Sequence, residues 1–207
     1  MRYVIFDTET TDLVGDVVQM GIIVLDENFK VEFFDSFYCN TDKIVSDGAF
    51  KIHGISNDIA LELSEGKYLE DYILGNPKYK SLFFDPGVVF VGFNVGFDLS
   101  TVNRVLMEKT GVSFPTPAKC TSILNLDENR RYSLDLMQHY RKKIGMVKGL
   151  TLAKTVELVV KDVDVEEFYK EVISYFKVKN CGLKFHDAAF DTYCTMLLLF
   201  EYGKDVC

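Results

Sequence analysis

Residues 4–13 have the sequence VIFDTETTDL, in which an apolar run leads directly into two carboxylates. The β-branched and aromatic residues at 3–6 are typical of a strand buried on both faces. Because side chains alternate across a strand, Asp7 and Glu9 would point to the same side. Two buried carboxylates repel each other, and a divalent cation relieves that conflict. A strand that ends in a polar turn explains the same residues without a metal, so this stretch alone leaves both interpretations open.

Length and composition indicate an ordinary globular protein. The chain has 207 residues, of which 48% are hydrophobic and 26% charged. This suits one α/β domain with a substantial core, and we expect a single domain over residues 1–207. A net charge of −8 argues against a broad face that wraps duplex nucleic acid, but not against a small site that grips a few nucleotides through metals. The five cysteines are scattered and contain no Cys-x-x-Cys pair, which predicts reduced thiols.

The sequence carries no targeting signal that we recognise. The first strand begins within two residues of Met1, which leaves no room for a signal peptide. Strongly apolar runs such as 196–200 are too short to span a bilayer. Cys207 is the last residue, so it lacks the three positions that follow the cysteine of a prenylation box. We therefore expect a cytoplasmic protein that does not associate with membranes.

The order of the elements predicts a central mixed sheet flanked by helices. Strand-like segments at 16–25 and 31–38 follow the opening strand through short turns, which favours three antiparallel strands. The apolar run at 88–91 predicts a buried central strand, and 118–121 predicts a short edge strand. The stretch 51–64 is predicted to begin with a glycine turn and to continue as a helix with Ser56 or Asn57 as N-cap. Further helices are predicted at 68–74, 99–109, 132–143, 151–160, 165–176 and 187–202. The fold class is therefore α/β, with about five strands.

A second group of polar residues follows the central strand. Asn94 and Asp98 lie just beyond its carboxyl end, where ligand sites in open α/β sheets are found. An aspartate at the start of a helix is also a good N-cap, and this explains Asp98 without a ligand. Phe97 beside it would ordinarily belong to the core, although an exposed ring there would be able to stack on a base.

A third group begins the last helix. Asp187 has the position of its N-cap, so His186 would sit just before it on a loop. Asp191 would lie one turn into the helix, on an otherwise apolar face toward the sheet. A carboxylate in that position needs a partner, and a metal ion would supply one. The neighbouring His186 then becomes a candidate for proton transfer.

The three groups together resemble the motifs of the DEDDh (DnaQ-like) family of 3′–5′ exonucleases, which includes the epsilon proofreading subunit of bacterial DNA polymerase III and ribonuclease T. The first motif is 6–11 (FDTETT), the second has Asn94, Phe97 and Asp98, and the third has His186, Ala188 and Asp191. Their order matches the family, and the likeness spans nearly the whole chain. The tripeptide 53–55 (HGI) is similar to a short element that these enzymes carry between the first two motifs.

The resemblance implies a ribonuclease H-like fold and a two-metal site. It implies two divalent cations, Mg²⁺ or Mn²⁺, held by four carboxylates: Asp7, Glu9, Asp98 and Asp191. His186 would be the general base toward the attacking water. Substrate contacts are expected at Thr8, Thr10, His53, Asn94 and Phe97.

The sequence departs from the family pattern at two positions. Asp12 stands where glycine is usual, and we expect the turn to survive because Asp tolerates left-handed backbone better than most residues. Its added charge near the substrate path would weaken binding or alter specificity. Gln19 stands where glutamate is frequent, which we interpret as a minor change.

The expected activity is removal of nucleoside 5′-monophosphates from single-stranded DNA 3′ ends, in proofreading or repair. An exoribonuclease that acts on RNA ends or short oligoribonucleotides is the alternative. A non-catalytic module that binds a nucleic-acid end or a polymerase is the second alternative, and the five retained motif residues argue against it. Association with a DNA polymerase and homodimer formation both stay open. The segment 130–148 has a net charge of +5 and is a candidate for phosphate contact, unless its basic residues are paired with acids elsewhere.

Overall fold

The computed structural model describes residues 1–115, 119–121, 132–146, 148–161, 163–179 and 181–206. Its strands are β1 (Arg2–Thr10), β2 (Val17–Leu25), β3 (Val31–Tyr38), β4 (Val88–Gly92), β5 (Lys119–Thr121) and β6 (Tyr132–Asp135). Its helices are α1 (Asp47–His53), α2 (Asn57–Ser64), α3 (Leu69–Ile73), α4 (Pro77–Phe84), α5 (Val95–Thr110), α6 (Leu136–Ile144), α7 (Leu152–Val159), α8 (Val165–Phe176) and α9 (Ala188–Val206).

The strands pair into one mixed sheet in the order β3-β2-β1-β4-β6-β5. β1, β2 and β3 are antiparallel, as the short turns between them predict. β4 runs parallel to β1, and β6 and β5 continue the parallel half. β1 therefore lies inside the sheet with a partner on each side, which explains why its apolar residues are buried on both faces. The predicted α/β class with a central mixed sheet is confirmed, with six strands in the described residues instead of about five.

Several boundaries differ from the sequence prediction. Residues 132–135 form β6, whereas the sequence predicted that the helix over 132–143 begins at Tyr132; the helix begins at Leu136. The four residues adopt the strand because they pair with β4 on one side and β5 on the other. Two helices, α1 and α4, were not predicted. α5 begins at Val95 instead of residue 99.

Helices cover both faces of the sheet and bring two sets of side chains to β1. Tyr3 and Ile5 belong to a core shared with α9, while Val4 and Phe6 belong to a core shared with α5. Gly21 on β2 allows α9 to approach closely, because a Cβ atom at this position would overlap the backbone of Ala188. The start of α9 is therefore held directly against the strand pair that carries the first motif.

No helix in the described ranges is long and apolar enough to cross a membrane. Cys39, Cys181 and Cys194, the cysteine side chains that the structure describes, form no disulfide with one another. The cytoplasmic location and the single domain over 1–207 stay predictions.

Candidate active site

The first two carboxylates lie within β1 and not in a turn after it. β1 runs on to Thr10 because it stays paired with β2, Asp7 opposite Gly21 and Glu9 opposite Gln19. Side chains two positions apart on a strand point to the same face, so Asp7 and Glu9 lie on the face of Ile5, which α9 covers. Glu9 is only 8% exposed. The pair therefore sits beneath the start of α9.

Asp98 reaches the site from the other side of the sheet. It is the fourth residue of α5, which follows Asn94 in a left-handed conformation (φ 77°). Asp98 is thus not the N-cap, and capping does not explain it. Its Oδ1 accepts hydrogen bonds from the backbone N–H of Thr8 at 3.1 Å and from the Thr8 hydroxyl at 2.7 Å. Thr8 therefore ties α5 to β1 between Asp7 and Glu9.

His186 and Asp191 complete the group from the start of α9. Asp187 caps the helix, with its Oδ1 accepting from the N–H groups of Ala189 and Phe190, so His186 lies on the preceding loop as predicted. His186 has φ 66°, a left-handed conformation, and its N–H donates to Asp191 Oδ2 at 3.1 Å. Asp191 Oδ1 is buried and has no hydrogen-bond partner in the described part of the chain. Ligand atoms of Glu9, His186 and Asp191 all lie within 4.8 Å of one another.

The four carboxylates are close enough to oppose one another's ionisation. Burial, followed by the charges of Asp98, Asp191 and Glu9, raises the pKa of Asp7 well above its usual range. Burial and then Asp191 raise the pKa of Glu9 to about 8. Burial raises the pKa of Asp98 to about 7 against the lowering effect of the Thr8 bonds, and burial also raises that of Asp191 to about 7. Such a cluster without cations nearby is electrostatically costly at neutral pH.

His53 lies beside this group, but both of its ring nitrogens are bonded to backbone. Nδ1 accepts from the N–H of Ile55 at 3.0 Å, so the proton is on Nε2, which donates to the carbonyl of Thr10 at 3.1 Å. Burial, and then the nearby His186 and Lys184, lower the pKa of His53. The neutral ring therefore fixes the end of β1. Its expected contact with substrate stays a prediction.

A cavity of about 350 Å³ opens next to Glu9. It is lined by Glu9, Thr10, Asp12, Leu13, Ser46, Gly48, Ala49, Ile52 and His53. Leu13 and Ile52 offer exposed apolar surface at its edge, while the Thr10 hydroxyl donates to the Asp12 carbonyl. Asp12 does not adopt the left-handed conformation expected for a position where glycine is usual. Instead its carbonyl also accepts from the N–H of Gly15, which closes an ordinary tight turn.

The remaining predicted contacts lie at the edge of the site. Asn94 is exposed and Phe97 is half-buried. Sequence reasoning missed Asp135, a buried residue at the end of β6 whose Oδ1 accepts from the N–H of Asn94 at 3.1 Å and from Met137 in the first turn of α6. An aspartate directly before a helical pattern is an N-cap signal, and this signal was available in the sequence.

Comparison with solved structures shows that the chain has the ribonuclease H-like fold of exonucleases. Exonuclease X in complex with 5′ overhanging duplex DNA aligns with a TM-score of 0.64 at 19% identity, over 99% of this chain and 92% of that one. E. coli Exonuclease I in complex with a dA16 oligonucleotide aligns with a TM-score of 0.67 at 18% identity, over 98% of this chain and 41% of that one. The zinc-bound form of the E. coli Exonuclease I–ssDNA complex aligns with a TM-score of 0.65 at 19% identity, over 99% of this chain and 41% of that one.

The chain thus spans most of Exonuclease X but less than half of the Exonuclease I chains. At these identities the likeness establishes the fold. No protein-family model and no curated protein sequence matches the chain. The narrower resemblance to the epsilon subunit and ribonuclease T stays a prediction.

Proposed function

We propose that the protein is a metal-dependent 3′–5′ exonuclease that removes nucleoside 5′-monophosphates from single-stranded DNA ends. The observation that carries this proposal is the convergence of four acidic side chains and one histidine, from β1, α5 and the start of α9, beside an open cavity. The comparisons support this proposal, because exonucleases of the same fold were solved with single-stranded or overhanging DNA.

The residues present fit divalent cations. Asp191 Oδ1 is buried without a hydrogen-bond partner among the described residues, and burial, followed by the like charges around them, raises the pKa values of Asp7 and Glu9. We assign Asp7, Glu9, Asp98 and Asp191 as the residues that would hold two Mg²⁺ or Mn²⁺ ions, since hard oxygen ligands suit these metals. Bound there, the ions would stabilise negative charge on the attacking and leaving oxygens of the scissile phosphate.

We assign His186 as the group that accepts the proton of the attacking water. Its ring lies beside Glu9 and Asp191 and is exposed, so that it is open to both solvent and substrate. Histidine is the side chain most often used for proton transfer in catalysis. The hydrogen bond from its N–H to Asp191 couples its position to a metal ligand.

The cavity beside Glu9 is the proposed site of the terminal nucleotide. Its volume of about 350 Å³ falls within the range of small-ligand pockets. Leu13 and Ile52 offer apolar contact for a base or sugar, and Thr10 lines the same cavity. His53 holds the Thr10 carbonyl and thereby the wall of the cavity. Thr8 uses its hydroxyl and N–H for Asp98, so we assign it to orienting that carboxylate.

The experiment uses single-stranded DNA and RNA oligomers of matched sequence, labelled at the 5′ end, with Mg²⁺ or Mn²⁺. We expect a ladder that shortens from the 3′ end and stops when EDTA is added, with DNA degraded faster. Faster degradation of RNA would replace the proposed substrate by the exoribonuclease alternative. Binding of the oligomers without degradation of either would overturn the enzyme assignment in favour of a binding module.

Asp7→Ala supplies the matched negative control. We expect it to abolish degradation while the fold is retained, because Asp7 belongs to the carboxylate cluster. Glu62→Gln, which removes an exposed acid on α2, should degrade like the wild type. An active Asp7→Ala protein would contradict the metal assignment.

A further inference from the structure

We propose that Gln19 and Asp187 form a bridge that positions His186, and that this bridge requires one neutral and one charged partner. Gln19 is fully buried in β2, opposite Glu9. Its side-chain amide donates from Nε2 to Asp187 Oδ2 at 3.1 Å and accepts through Oε1 from the N–H of Ala188 at 3.2 Å. One side chain of the sheet therefore bonds to two consecutive residues at the start of α9. The kinetic part of this inference rests on the proposed function.

Asp187 uses both carboxylate oxygens within the protein. Its Oδ1 caps α9, while Oδ2 accepts from the N–H of Gly182 at 2.8 Å as well as from Gln19. A Cβ atom at residue 182 would lie 2.9 Å from Oδ2, so glycine allows this close approach. Asp187 thus closes the loop 182–187 on itself and joins it to β2.

His186 lies inside this closed loop. It has a left-handed conformation, which costs free energy for a residue with a Cβ and persists where its surroundings hold it. The N–H of His186 donates a hydrogen bond to Asp191, and the next residue, Asp187, accepts one from Gln19. The Gln19–Asp187 bridge therefore determines where the imidazole stands relative to Glu9, the residue opposite Gln19.

These contacts explain why residue 19 is neutral and residue 187 is a carboxylate. A glutamate at residue 19 would keep the acceptor for the Ala188 N–H but would place a second carboxylate against Asp187 Oδ2. Two carboxylates at hydrogen-bond distance repel strongly in a buried site. An asparagine at residue 187 would relieve that repulsion, because its amide donates to a carboxylate while its oxygen still caps α9, but the Gly182 N–H would lose its acceptor.

The test is a swap of the two partners. Gln19→Glu should lower kcat by about 10- to 100-fold, since displacement of a reacting group by about 1 Å has effects of this size. Its KM should stay close to that of the wild type, because the bridge does not line the cavity beside Glu9. The double variant Gln19→Glu/Asp187→Asn should recover part of kcat, because it removes the repulsion between residues 19 and 187 but also loses the hydrogen bond from Gly182. A Gln19→Glu protein with wild-type kcat, or a double variant as slow as Gln19→Glu alone, would overturn the inference.

A second readout does not depend on nuclease activity. The chain has three histidines, so the imidazole NMR signals of the metal-free protein are few, and His186→Gln identifies the signal of His186. We expect this signal to shift or broaden in Gln19→Glu and to move back toward its wild-type position in the double variant, with His53 and His139 as internal references. An unchanged His186 signal in Gln19→Glu would overturn the bridge. A wild-type protein that degrades no nucleic acid would overturn the proposed function alone.

Discussion

Thr8 donates two hydrogen bonds to a single oxygen of Asp98, one from its backbone N–H and one from its hydroxyl, across 90 positions of sequence. Asp98 is 3% exposed, and burial raises its pKa to about 7 although these bonds lower it. Thr8 therefore joins the two elements that carry the carboxylates and also favours the ionised form of Asp98, the form that binds a cation.

Thr8→Val should impair catalysis through Asp98. The substitution keeps the shape of the side chain and the backbone donor but removes the hydroxyl, so the pKa of Asp98 rises further. We expect lower activity at neutral pH and an acid limb of the pH–rate profile displaced to higher pH. Thr8→Ser restores the hydroxyl and should restore the profile. A Thr8→Val profile that coincides with that of the wild type would show that the hydroxyl does not act on Asp98.

The metal-free protein should lose stability as pH rises from about 5 to about 8. The pKa values of Glu9, Asp98 and Asp191 are raised to about 8, 7 and 7, above those of the unfolded chain near 4. Between these values the folded state binds more protons than the unfolded state, so the free energy of unfolding falls with pH. Thermal unfolding in EDTA across this range measures the effect. A wild-type midpoint that rises from pH 6 to pH 8 while that of Asp7→Asn stays flat would contradict the sign.

Glu9→Gln should stabilise the metal-free protein at pH 8 and remove its response to metal. The substitution deletes one of the charges that repel one another, and each kcal/mol gained raises Tm by about 2–4 °C in a chain of this size. In the wild type, saturating Mn²⁺ should raise Tm by mass action. The comparison requires unfolding curves of both proteins with and without Mn²⁺. Equal Mn²⁺ stabilisation of both proteins would remove Glu9 from the ligand set.

His186→Ala should lose most of the rate and keep the metals. General-base catalysis contributes about 10²- to 10⁴-fold, and the four carboxylates remain in place in this variant. Mn²⁺ titration of the variant and single-turnover kinetics on single-stranded DNA separate the two effects. If Mn²⁺ affinity falls as far as the rate does, His186 acts as a ligand instead, which its proximity to Glu9 and Asp191 would permit.

The parts of the fold and site that could be predicted are those with a local signal. The apolar run before Asp7, the N-cap Asp187 and the inward position of Asp191 each follow from residues within a few positions. β6 was missed because four residues carry too little periodicity, and pairing with β4 and β5 decides their conformation. The N-cap explanation of Asp98 was wrong, because α5 begins at Val95 and Asp98 is its fourth residue.

The role of Gln19 had no local signal at all. We interpreted its replacement of glutamate as a minor change, because its partner Asp187 lies 168 positions away. The basic segment 130–148 is only partly described: Arg141, Lys142 and Lys143 occupy the last turn of α6, where they complement the helix dipole. Arg130 and Arg131 lie outside the described residues. Its contact with phosphate therefore stays a prediction.

The most direct test of the central claim is the metal dependence of product release from a 3′ end. Wild-type protein, Asp7→Asn and the control Glu62→Gln would each be incubated with single-stranded DNA and increasing Mn²⁺, and the small products identified by mass spectrometry. The account predicts nucleoside 5′-monophosphates from the wild type and Glu62→Gln, in proportion to bound Mn²⁺, and none from Asp7→Asn. Monophosphate release by Asp7→Asn at the wild-type rate, or by the wild type in EDTA, would contradict it.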